Sequence, residues 1–154
     1  MITSRNLVKS LGENSLVFEE ACIFCSISQK RAPASIVFED KVVVAFLDIR
    51  PLNLGHCLVI PKEHWVDIFD IPNDVFCQVH QATKPVAVAV KKATNADGVS
   101  IIQQNGKAAG QDIYHFHVHV VPRFVGQKLP LFSEILPVER AKLDEMALRI
   151  RENL

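Results

Sequence analysis

The chain has 154 residues, 49% of them apolar and 22% charged, which is enough for one hydrophobic core and too little for two comfortable domains. Seventeen Lys and Arg against seventeen Asp and Glu leave no net field to draw in a polynucleotide or an anionic membrane, so an anionic ligand has to be held by a local site. No apolar run approaches the roughly 20 residues that span a bilayer, and Met1–Asn6 lacks an apolar signal core. The expectation is a soluble protein whose partners include neither a nucleic-acid polymer nor a membrane.

Residues 1–12 carry Arg5 and Lys9, serines and no acid, a faint organelle-targeting composition for which a disordered tail is the simpler reading. We read residues 1–20 as an N-terminal extension. Short β-branched runs follow at Ser35–Glu39, Val42–Leu47 and Cys57–Ile60, separated by Glu-Asp and Pro-Leu-Asn-Leu-Gly turn signals. Val75, Val79, Ala82, Val86 and Val90 recur at helical spacing, which predicts one amphipathic helix over 73–94, kinked at Pro85. Two more strands are expected at Val99–Gln104 and His115–Val121, with an Asn-Gly turn signal between them. Leu143, Met146, Ala147 and Ile150 mark a helix behind Pro137 with one buried face, to be docked on the domain or on a partner. Strands in runs, rather than alternating with helices, predict an α+β domain over 21–125: a five-stranded antiparallel sheet with the long helix packed on one face. Residues 126–154 then form a C-terminal tail with a helix. Cys57 and Cys77 stand alone, and Cys22 and Cys25 form a Cys-x-x-Cys pair; this usage suits a reducing compartment, and we expect the cytoplasm.

Three of the six histidines fall in Tyr114–Phe124, at every second position. On a strand, His115, His117 and His119 project from one face while Phe116, Val118 and Val120 take the other. Same-face neighbours lie roughly 6.6 Å apart, so the middle imidazole reaches both flanking ones. Surface histidines on a half-exposed strand are one alternative, and a catalytic zinc gripped by His-x-His is another.

His115-Phe116-His117-Val118-His119-Val120-Val121 resembles the signature of the histidine triad (HIT) family of nucleotide hydrolases and transferases. The likeness extends over about residues 22–124, through Ile23-Phe24-Cys25, Ala45–Ile49 with Pro51, Gly55–His64, and Asn105-Gly106 leading to Ala109-Gly110-Gln111. It implies a HIT-like fold and a homodimer formed through the long helix and a strand edge. It further implies that His117 attacks the α-phosphorus to give a nucleotidyl-imidazole, that His119 donates a proton to the phosphate or leaving group, and that His56 supports the pair. Asp48, which from spacing alone is equally a strand-end turn carboxylate, becomes a ribose acceptor. Ile23, Phe24, Ile27, Phe46 and Ile49 become a purine slot, although such side chains are commonly plain core. Asn105, Gln111 and Asp112 belong to the phosphate region, towards which the small-residue loop 106–111 could aim backbone N–H groups. Asp112 departs from the family's usual Ser or Thr; its carboxylate turns outward, binds through water, or suits an amine leaving group.

Cys22, Cys25, His64 and His115 supply two thiolates and two imidazoles, the donor set of a closed tetrahedral zinc site. Buried thiols or a redox pair are the alternatives from spacing. The resemblance, to the zinc-carrying bacterial-type branch, implies a structural Zn²⁺ on these four. The expected activity is hydrolysis of an adenosine phosphoramidate or related purine nucleotide conjugate. The competing readings are a dinucleoside polyphosphate hydrolase, a nucleotide-binding or scaffold module with incidental turnover, and a zinc hydrolase using the triad as ligands.

Overall fold

A computed structural model describes residue 19 and residues 21–130 and 134–154. Most of the N-terminal extension, including all of residues 1–12, lies outside the described residues. Five strands, β1 (Ile36–Glu39), β2 (Val43–Leu47), β3 (Cys57–Pro61), β4 (Gly98–Gln103) and β5 (Val118–Arg123), form one antiparallel sheet in the order β1-β2-β3-β5-β4. Three helices accompany it: α1 (Ile23–Ser28), α2 (Asn73–Thr94) and α3 (Arg140–Arg151). The architecture is the α+β one expected, and α2 has the predicted span.

β2 and β3 are buried along their whole length, so both faces of the sheet centre are covered. Val43, Ala45, Leu47, Cys57 and Val59 point into a core shared with Val79, Val86 and Val90 of α2. Val44, Phe46, Leu58 and Ile60 point the other way, against Phe24 and Ile27 of α1. Unbroken apolar runs in β2 and β3 are the sequence mark of such two-sided burial. α2 carries on through Pro85, which is exposed. Water can hydrate the Gln81 carbonyl left without its helical donor there.

α3 presents Leu143, Met146, Ala147 and Ile150 to the same core as α2, and it touches α2, β1 and β2. The chain leading to it is tied down by a hydrogen bond from Val138 N–H to the Ile49 carbonyl. The C-terminal helix thus closes over its own sheet.

The triad strand differs from expectation in one respect: the ladder begins at Val118, so His115 and His117 precede it. The register that pairs Val59 with Val118 would set Pro61 opposite Phe116, and Pro61 has no N–H to donate. Phe116 N–H donates instead to the Trp65 carbonyl. The alternation survives this, since Phe116, Val118 and Val120 all enter the α2 core and the imidazoles take the opposite side.

Candidate active site and metal site

The three histidines of the triad divide between two sites. His115 is fully buried and turns to Cys22, Cys25 and His64, whereas His117 and His119 line a cleft on the α1 side of the sheet.

Cys22 is the N-cap of α1 and its sulfur accepts from Cys25 N–H, so the two-residue spacing sets both thiols on one side of the first turn. The four ligand atoms lie within 4.8 Å of one another. Cys22 Sγ is 3.4 Å and Cys25 Sγ 3.6 Å from His115 Nδ1, and Cys25 Sγ is 3.3 Å from His64 Nδ1. Zinc–sulfur bonds near 2.3 Å and zinc–nitrogen bonds near 2.05 Å at tetrahedral angles require S···N edges of about 3.5 Å. The outer nitrogens are also engaged: His115 Nε2 donates to the Pro61 carbonyl at 2.8 Å and His64 Nε2 to Glu19 Oε2 at 2.9 Å. Both Nδ1 atoms therefore present lone pairs towards the sulfurs, the tautomer that a metal needs. The two thiols share a charge between them: the hydrogen bond from Cys25 draws Cys22 far down, and the same bond with burial drives Cys25 up. A cation between them removes that conflict.

His117 is 3% exposed, and its Nδ1 donates to the His115 carbonyl at 2.6 Å. A carbonyl can only accept, so Nδ1 carries the proton and Nε2 keeps its lone pair. The same logic fixes His119. Leu52 N–H donates to His56 Nδ1 at 3.1 Å, which leaves the His56 proton on Nε2; that proton goes to His119 Nδ1 at 3.0 Å. His119 therefore bears its own proton on Nε2, the nitrogen not engaged by His56. The 3.8 Å approach of His56 Nδ1 to Asp48 is no ion pair, because that nitrogen is an acceptor. Burial, reinforced by the neighbouring imidazoles, pushes His56 down to about 3 and His119 to about 4, and burial also lowers His117. At neutral pH all three rings are uncharged.

The cleft they line has a volume of about 780 Å³, enough for a nucleotide. Asp48 stands at the end of β2, where its Oδ1 accepts from Arg50 N–H at 2.8 Å. The turn role and the cleft position therefore coexist, with Oδ2 left for a ligand. Burial raises Asp48 to about 6, with a smaller push from Asp112. Ile23, Phe24, Ile27, Phe46 and Ile49 all line the cleft, and Phe24 packs edge-on against Phe46 and His117. Asp112 lines it too, with Oδ1 holding the Ile113 N–H.

Asn105 and Gln111 are not brought into the cleft. Asn105 exchanges hydrogen bonds with Gln103 and accepts from Ile68 N–H; buried Gln111 binds Gly106 N–H and the Val66 and Ile113 carbonyls. Their polar atoms hold the 104–113 loop to the 66–68 segment. The loop also spends its amides internally: those of Gly106, Ala109, Gly110 and Gln111 are all bonded within it. Gln104, one residue earlier than expected, lines the cleft and packs on Gly110, where a Cβ would come within 2.5 Å of Gln104 Nε2. Arg50, Ile113, Ile135 and Arg140 also line the cleft and escaped sequence reasoning. The last two belong to the C-terminal segment, which α3 brings back over β1 and β2.

A five-stranded antiparallel sheet that carries alternating histidines beside an apolar cleft defines a class, and comparison with known proteins agrees. The HIT domain family matches residues 29–126, and the chain belongs to that family. It is 40% identical, over 84% of its length and 98% of the relative's, to an uncharacterized HIT-like protein of Methanocaldococcus jannaschii. It is 38% identical to the adenosine 5'-monophosphoramidase of Saccharomyces cerevisiae, over 68% of this chain and 64% of that one. Among solved structures, a zinc-bound histidine triad family protein from Mycobacterium smegmatis superposes with a TM-score of 0.77 at 37% identity, covering 86% of this chain and 92% of its own.

Proposed function

We propose that the protein hydrolyses purine nucleoside phosphoramidates, or closely related nucleotide conjugates, through a covalent nucleotidyl-His117 intermediate. The observation that carries this is the pair of fixed tautomers: a bare Nε2 on His117 and a protonated Nε2 on His119 in one cleft. His117 Nε2 forms a bond to the α-phosphorus as the bond to the leaving amine breaks. The amine leaves with a proton carried in on the phosphoramidate nitrogen, while neutral His119 offers its Nε2–H as a hydrogen bond to the phosphoryl oxygen on which charge develops. Water then displaces His117 from phosphorus and loses a proton to solvent, which breaks the P–N bond, frees the nucleoside monophosphate and leaves His117 Nε2 with its lone pair again. The name of the yeast relative fits this reading. A hydrolase using all three triad histidines as ligands fits less well, because His115 turns away to the cysteines.

Cys22, Cys25, His64 and His115 are proposed to hold a structural zinc, a reading supported by the zinc-bound relative from Mycobacterium smegmatis. When bound, the ion supplies cross-linking of the N-terminal segment to the loop ahead of β5. The chain's own contribution is the His115 carbonyl, which sets the His117 tautomer. Among the described residues the four cysteines are free thiols, consistent with a cytoplasmic setting, and no helix is long and apolar enough to cross a membrane.

Leaving-group preference follows from Asp112. A long polyphosphate passing this carboxylate meets like charge, worth about 1 kcal/mol at 4 Å in water and about 4 kcal/mol at an effective dielectric of 20. Adenosine phosphoramidate is expected to be hydrolysed at least about fivefold better, by kcat/KM, than a dinucleoside polyphosphate. Asp112→Ser should narrow the ratio. A wild-type preference for the dinucleotide, unchanged in Asp112→Ser, contradicts the electrostatic argument.

A homodimer completes the reading. β4 is an edge strand with Ile101 47% exposed, and α2 exposes Val88 at 46%. Pairing two copies through these elements hides an open sheet edge. Light scattering at micromolar concentration should give the mass of two chains, and a single-chain mass rejects the pairing.

A further inference from the structure

Ala32, Pro33 and Ala34 form part of the cleft wall, and one charged side chain reaches that wall from outside the matched domain: Arg140, the first residue of α3. Its guanidinium is held in place. One terminal nitrogen donates to Ser35 Oγ at 3.0 Å and the other reaches the Pro33 carbonyl at 3.4 Å. Ser35, itself buried, donates to Asp144 Oδ1 at 2.6 Å, one turn along α3. The result is an arginine with fixed orientation and donors to spare, at the rim of an apolar slot.

We infer that Arg140 reads the edge of the bound base and selects 6-oxopurines over adenine. This rests on the proposed nucleotide function and names its substrate class more closely. The other charged and amide side chains of the cleft, Asp48, Arg50, Gln104 and Asp112, belong to the β2 end or to the loop before the triad. A base seated between Phe24 and the Ala32–Ala34 wall meets Arg140 as its polar neighbour. A guanidinium offers donors alone. Guanine and hypoxanthine present two acceptors, O6 and N7, to such a fork, whereas adenine presents N7 beside an amino group that is itself a donor. A bidentate pair of this kind discriminates by on the order of tenfold or more.

The test is calorimetric titration of the full chain with GMP, IMP and AMP. Wild type should bind GMP and IMP on the order of tenfold more tightly than AMP. Arg140→Met, which keeps the apolar stem, and Arg140→Lys, which keeps the charge but loses the fork, should both bring the ratio close to one. Equal wild-type affinities for GMP and AMP overturn the inference, as does a preference that persists in both variants. A preference for GMP that IMP does not share points to the 2-amino group and also overturns it. Failure of all three nucleotides to bind overturns the nucleotide reading itself, an outcome distinct from binding without selection.

Discussion

His117→Asn is expected to leave a folded protein that still binds nucleotide and has lost turnover by about four orders of magnitude or more, the scale on which loss of a covalent nucleophile is felt. The apolar face of the triad segment, Phe116 and Val118, packs on α2 and is untouched by the change. Asparagine can still donate to the His115 carbonyl that now accepts from His117 Nδ1 at 2.6 Å, so the local backbone keeps its partner. Steady-state kinetics and nucleotide titration on the same preparation check both halves of the expectation. Near wild-type rates reject the covalent mechanism.

Release of the metal is the second large effect. Freshly prepared protein should carry one zinc per chain, and Cys22→Ser or His64→Ala should lose it. Zinc-finger peptides gain ~10–16 kcal/mol of apparent binding free energy from such a site. Here the two apolar clusters hold the sheet independently of the metal, so the fold should survive with a melting temperature lowered by about 10 °C or more, the equivalent of several kcal/mol in a domain of this size. The reach to catalysis is short, because the ring of His115 belongs to the cluster with Cys22, Cys25 and His64 and its carbonyl fixes the His117 proton. Turnover should therefore fall mainly through kcat. Elemental analysis that finds no metal in the wild type rejects the site.

The reason so much of this was legible lies in periodicity. The α2 span and the inward face of α3 follow from apolar spacing over two or more turns, and the alternation of the triad assigned each side chain to its face even where the ladder had ended. Short elements were harder. α1 has six residues, too few for a helical repeat to show, and its sequence signal is chemical: a Cys-x-x-Cys with one thiol as N-cap. Loop side chains were harder still. Asn105 and Gln104 are adjacent amides that spacing cannot tell apart; one is tied to Gln103 and Ile68, and the other is turned to the cleft by its contact with Gly110. Ile135 and Arg140 reach the cleft only because α3 returns over β1 and β2, a tertiary fact with no local signature.

The central claim is that His117 carries the nucleotide covalently. The direct measurement is a single-turnover reaction, with enzyme in excess over a purine nucleoside phosphoramidate, quenched on the millisecond to second scale and read by mass spectrometry of the peptide that contains residues 114–123. The expected result is a transient added nucleoside monophosphate on His117 that rises before the product and decays as the product appears, and that is absent in His117→Asn. Product formed at full rate with no adduct at any time, or an adduct carried by another residue, contradicts the account.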